Sequence, residues 1–168
     1  MRARQFMVMV AAMALLAACD DQAPVAQSTA NSASGAIRGT DLTVSAELTG
    51  YNHTTNTIAS FYVDGQWGGN LSPGTGGGSF VCCVRLPVLW HEGIKVKVVW
   101  EDHELKTQSR QVMVPKYDSK TLTDFGVHFL RNGEIKVFAT YGGLRRRDYP
   151  LQGEEAELKP GVPIRHVD

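Results

Sequence analysis

Ile94-Lys95-Val96-Lys97-Val98-Val99-Trp100 decides the fold. Ile94, Val96, Val98 and Trp100 alternate with Lys95 and Lys97, the two-residue period of a strand with one face in a core and one in water. The same texture recurs on both sides. Leu42, Val44, Ala46 and Leu48 alternate with Thr43, Ser45 and Glu47, and Ile58 to Val63 forms another run, closed by the turn signal Asp64-Gly65. Ser79 to Leu86 places Phe80, Cys82 and Val84 on one face and Val81, Cys83 and Arg85 on the other. Pro87 ends it, having no N–H to give a ladder. Gln111 to Val114 stops at Pro115. Phe125 to Leu130 and Ile135 to Tyr141 are joined through Arg131-Asn132-Gly133-Glu134, and Asn-Gly predicts a tight hairpin because both residues tolerate positive φ. Helical periodicity with caps is absent. About seven strands at short spacing predict an all-β domain, an antiparallel β-sandwich or a small barrel.

The ends of the chain read differently. Arg2 and Arg4 precede an uncharged apolar run from Phe6, which ends in Leu16-Ala17-Ala18-Cys19. A basic start, a short apolar stretch and small residues before the cut mark an export signal. A cysteine placed as the first residue after that cut marks a bacterial lipoprotein, so residues 1–18 are read as signal peptide and Cys19 as the lipidation site, its thiol taking a diacylglycerol. Acyl chains of that kind hold a protein at a membrane. Asp20 and Asp21 resemble an inner-membrane retention signal, which places the protein in the periplasm with the outer membrane as the alternative. Residues 19–39 are mostly Ala, Ser, Gln, Thr and Asn with a single proline, Pro24, and no aromatic. They cannot bury enough apolar surface to order themselves and read as a tether with a reach of roughly 25 Å. Residues 40–143 hold the strands. Residues 144–168, with Pro150, Pro160 and Pro163, read as an irregular tail. There Arg145-Arg146-Arg147 is flanked by Asp148, Glu154, Glu155 and Glu157, a pattern of local ion pairs in a solvated tail, with a docking strip for an acidic partner as the alternative.

The sequence has 17 basic and 17 acidic residues. Loss of Arg2 and Arg4 with the signal leaves a near-neutral mature chain, which gives no electrostatic argument for a nucleic-acid partner. Gly74, Gly76, Gly77 and Gly78 precede a strand and lack the Gly-Lys-Ser/Thr ending of a phosphate cradle. They read as a wide loop or a bulge. The histidines His53, His91, His103, His128 and His166 contain no pair at zinc-binding helical spacing. A composite of His53, His91 and Cys82 or Cys83 is the one conceivable metal arrangement, and no metal or cofactor is expected. A Gly-x-Ser-x-Gly elbow is missing, and Asp102 and Glu104 around His103 read as loop polarity. The chain reads as a non-enzyme. In an oxidising compartment the adjacent Cys82 and Cys83 have three open states: a vicinal disulfide, two buried free thiols, or a bridge to another chain.

Binding on a rigid β-scaffold usually resides in its loops. Tyr51-Asn52-His53-Thr54 and Trp67-Gly68-Gly69-Asn70 are therefore the candidate partner-binding residues, expected together at one end of the sandwich. Trp67 would be the aromatic anchor. Leu89-Trp90-His91 is a further aromatic loop, and Tyr51 and Trp90 have a second reading as caps on the ends of the core.

Gly50-Tyr51-Asn52-His53-Thr54, Ile58, Phe61 and Val63-Asp64-Gly65, then Gly68-Gly69-Asn70, Gly76-Gly77-Gly78, Cys82-Cys83-Val84 and Leu86-Pro87 form a signature. It closes on Val127-His128-Phe129 and Asn132-Gly133-Glu134. Over about residues 45–140 this resembles a family of proteobacterial lipoproteins of unknown function. Its members are often encoded beside type VI secretion lipase effectors and are regarded as immunity lipoproteins. The resemblance implies a membrane-anchored periplasmic protein that binds a phospholipase and neutralises it. The alternative is an envelope scaffold or accessory lipoprotein that binds a secretion or cell-wall component. A tether at the attacked membrane would raise the effective concentration of an inhibitor there.

Overall fold

In the computed structural model, residues 42–77, 81–159 and 167 are described. Cys19, the signal and the tether lie outside them, as do Gly78, Ser79, Phe80 and His166. The alternating runs pair into two sheets stacked as a sandwich, with no closed barrel. The strands are β1 (Thr43–Asn52), β2 (Ile58–Val63), β3 (Gln66–Leu71), β4 (Thr75–Gly76), β5 (Val81–Pro87), β6 (Lys95–Glu101), β7 (Thr107–Met113), β8 (Asp124–Phe129) and β9 (Ile135–Thr140). Sheet A runs β4-β1-β8-β9, with β5 also on β1, and sheet B runs β3-β2-β6-β7. All pairings are antiparallel except β1 with β8, which is parallel.

Alternation explains the core. Ala46 and Leu48 from β1, Phe61 and Val63 from β2, Val96 and Val98 from β6, and Phe125 and Val127 from β8 are each at most 1 % exposed. Phe129 meets Phe61 and Trp100 edge-on, with ring centroids 5.8 and 5.9 Å apart, and such aromatic pairs add about 1 kcal/mol each beyond the area they bury.

The turns differ from the reading above in an instructive way. Asp64 and Gly65 have φ of 47° and 86° and connect the paired residues Val63 and Gln66. They are the two-residue hairpin turn whose positive φ values match the twist of the strands. At Asn132-Gly133 only the glycine is left-handed, with φ 80°. There the Gly133 N–H donates to the Leu130 carbonyl and the Leu130 N–H to the Glu134 carbonyl. That hairpin is a three-residue loop, in which glycine takes the left-handed place after an ordinary turn.

Trp67-Gly68-Gly69-Asn70, expected as a loop, lies in β3. Glycines mask the strand because they carry no side chain to show its alternation. Gly68 is required by packing: a Cβ on it would stand 2.2 Å from the Phe61 ring. The register shift between Phe61 and Tyr62 against β3 marks a local bulge there.

Candidate functional site

Tyr51 and Asn52, expected in a loop at the surface, end β1, His53 follows directly, and the three are 5 %, 0 % and 1 % exposed. The parallel register sets Tyr51 beside His128 of β8, and their rings stack at 4.5 Å with planes 7° apart. Asn52 points the other way. Its Nδ2 donates to the carbonyls of Asn56 (2.7 Å), Leu71 (3.2 Å) and Ser72 (3.3 Å), while its Oδ1 accepts from the Thr54 N–H at 3.0 Å. This one amide ties the end of β1 to the end of β3.

His53 and His128 form a buried chain. His53 Nδ1 lies 3.0 Å from the Glu157 carbonyl oxygen, His53 Nε2 lies 3.0 Å from His128 Nδ1, and His128 Nε2 lies 2.7 Å from the Tyr149 hydroxyl. A carbonyl only accepts, so His53 carries its proton on Nδ1. Its Nε2 then accepts from His128 Nδ1–H, and His128 Nε2 accepts from Tyr149 O–H. One fixed end assigns every proton, and both imidazoles are neutral. Burial lowers the pKa of each. For His128, which drops well below the usual value, the neighbouring His53 and Lys136 push further in the same direction, and for His53 Arg131 does the same while the Glu157 carbonyl opposes. Burial raises the Tyr149 hydroxyl far above its ordinary range.

The segment after β9 completes this chain. Leu144, Tyr149, Leu151 and Ala156, with one turn of 3-10 helix at Gly153–Glu155, form a second buried cluster with Tyr51 and Leu130. The Leu144 N–H donates to the Tyr51 hydroxyl at 3.2 Å. Arg131 donates to the carbonyls of Glu154 and Glu157. Arg146 pairs with Asp148 at 3.0 Å and lies over the Tyr141 ring. The irregular segment is thus packed against the outer side of sheet A.

Of the other candidates, Thr54 is half-buried and lines an open cleft of about 450 Å³ with Trp100, Gln108, Arg110 and Phe129. Gly68 and Gly69 are buried, while Trp67 is 50 % exposed and Asn70 is exposed. They do not share one end. Trp67 pairs with Tyr62 next to the Asp64-Gly65 turn, whereas Leu71 pairs with Ile58 at the opposite end of the hairpin, beside Thr54. Trp90 is partly buried, its indole N–H donating to the Val114 carbonyl at 3.2 Å.

In the structure Cys82 and Cys83 are bonded to each other, the first of the three states open from sequence. Cys82 is exposed. Between Ala46 opposite Val84 and Leu48 opposite Val81, β5 has one residue more than β1. This bulge turns Cys82 out of the face on which alternation from Val84 would place it. Among the described residues no group of three or more His, Cys, Asp or Glu side chains could hold a metal ion, so His53, His91 and the cysteines are not brought together.

A family model described as "Protein of unknown function (DUF3304)" matches residues 51–137. The chain belongs to this family. No curated protein and no solved structure matches the chain. The matched span opens on Tyr51 and includes His53 and His128, and it ends before Tyr149 and Glu157, which close the imidazole chain. Sequence reasoning missed His128 and Tyr149 as partners. The available signal was a histidine within Phe125-Gly126-Val127-His128-Phe129, a strand buried on both faces, where an imidazole needs a partner.

Proposed function

We propose that this chain is a membrane-anchored periplasmic lipoprotein that binds and neutralises a type VI secretion phospholipase. The observation that carries the reading is Trp67, half exposed on a strand, while Tyr51, Asn52 and His53, the other binding candidates, are buried. A large aromatic side chain held on a sheet is an anchor for a protein partner, because its few rotatable bonds lose little entropy on binding. The lipoprotein ending at Cys19 supports location at the membrane that a phospholipase attacks. The resemblance to immunity lipoproteins supports the class of partner. In this reading the protein does no chemistry on lipid; it occupies a surface of the enzyme.

The test is growth. Cells exporting to the periplasm a type VI secretion phospholipase, taken from beside the gene where one is encoded there, should stop growing, and co-expression of the wild-type chain should restore growth. Cys19→Ala should restore it less, because the inhibitor is no longer concentrated at the membrane. Failure of a folded, lipidated wild-type chain to protect would sink the immunity reading and favour the envelope-scaffold alternative.

A further inference from the structure

The two outer faces of the sandwich differ. Sheet A carries the chain's own segment over Tyr51 and His128, through Leu144, Tyr149, Leu151 and Ala156. On sheet B the outward residues follow from register. In an antiparallel ladder, paired residues share a face. Tyr62, between the inward Phe61 and Val63, pairs with Trp67 on one side and with Val99 on the other. Trp67, Tyr62 and Val99 thus form one continuous cross-strand row on the outer surface. Trp67 is 50 % exposed, and Tyr62 and Val99 are half-buried.

Lys97 and Lys95 lie on the same face of β6 as Val99, and Lys95 pairs with Met113, which is 48 % exposed. Both lysines are exposed, and neither has an ion pair among the described residues. At the other end of that face Glu101 accepts from the Ser60 hydroxyl at 3.1 Å. An apolar row therefore runs beside two lysines without an ion pair among the described residues, with the Asp64 carboxylate close by, accepting from the Lys97 backbone N–H at 2.8 Å.

We infer that the outer face of sheet B, built on Trp67, Tyr62 and Val99 and bordered by Lys95 and Lys97, is the docking surface for a partner protein that offers an apolar recess edged by carboxylates. The inference rests on the proposed function in taking the phospholipase as that partner. Charge complementarity selects the occupant. A second copy laid lysine end on lysine end would set cation against cation, which disfavours that pairing, and in the reversed arrangement the single Glu101, already accepting from the Ser60 hydroxyl, would face two lysines. The stretch before the described domain offers no aromatic side chain between Cys19 and Leu42 to fill the row.

The experiment measures binding of that phospholipase to the full mature lipoprotein, captured in detergent micelles. Trp67→Ala should weaken binding at least about tenfold. Lys95→Glu with Lys97→Glu should slow association and flatten its dependence on salt. Lys120→Glu, an exposed change in another part of the chain, should leave binding unchanged. These side chains are exposed, so the variants should keep the wild-type unfolding midpoint. If wild type binds and the sheet B variants bind equally well, this surface is wrong and the immunity reading stands. If folded wild type does not bind, both fall. Self-association without phospholipase that Trp67→Ala abolishes would make a second copy the occupant and overturn the assignment.

Discussion

The His53–His128–Tyr149 chain makes the molecule sensitive to acid through two residues. Each imidazole is neutral in the folded protein and has its pKa lowered from 6.5. Below that value the unfolded chain binds protons that the folded chain excludes, so their contribution is full above pH 6.5 and is lost as pH falls towards the folded values. A proton on His53 Nε2 would also face the His128 Nδ1–H, donor against donor. The neighbours are Tyr51, Tyr149, Lys136, Arg131 and Glu155, and the two cations add to the penalty while Glu155 opposes it. Urea unfolding should therefore show stability falling between pH 7 and pH 5. His91→Gln with His103→Gln, changes at exposed positions, should keep that slope, and loss of the slope in this variant would remove the buried pair as its source. At pH 7, Tyr149→Phe should cost about 1–3 kcal/mol, because it leaves His128 Nε2 buried without a donor. An unchanged urea midpoint would contradict the proton assignment. The partnership was only half legible in sequence: His53 stood out beside Tyr51, but its partners lie 75 and 104 residues away, beyond any local pattern.

At the scale of elements, the legible strands were those whose two faces meet different surroundings, as Lys95–Glu101 shows with core on one side and water on the other. β3 is hidden because Gly68 is dictated by the Phe61 ring, and the end of β1 is hidden because Tyr51 and Asn52 read as loop polarity when the covering segment is not considered. Gly68→Ala should accordingly be severely destabilising, by about 2 kcal/mol or more, since the Phe61 ring must leave its place; thermal unfolding of the variant would check it. The Cys82–Cys83 bond should matter far less. The two cysteines are adjacent in sequence, and closing so short a loop removes only about 1 kcal/mol worth of unfolded-state entropy. Cys82→Ser with Cys83→Ser should lower the unfolding free energy by about that amount. A loss several times larger would mean that the bond holds the bulge between β1 and β5 in place.

For the whole molecule, the sandwich is one layer short without its last segment. A chain stopped after Gly143 loses Leu144, Tyr149, Leu151 and Ala156 from the second cluster and leaves Tyr51 and Leu130 uncovered. By the usual value per buried side chain this costs several kcal/mol, about 10 as an upper figure. The truncated protein should bind a hydrophobic dye and lose its cooperative transition. A wild-type midpoint would show that the segment is an accessory. Among the described residues the outer side of sheet A is covered in this way while Trp67 on sheet B is half exposed, and the proposed function rests on what that second face holds. The most direct measurement is a titration of the mature chain into the phospholipase while it hydrolyses phospholipid vesicles. Hydrolysis should fall in proportion to added protein and stop near equimolar amounts; undiminished hydrolysis in a large excess of folded protein would contradict the account.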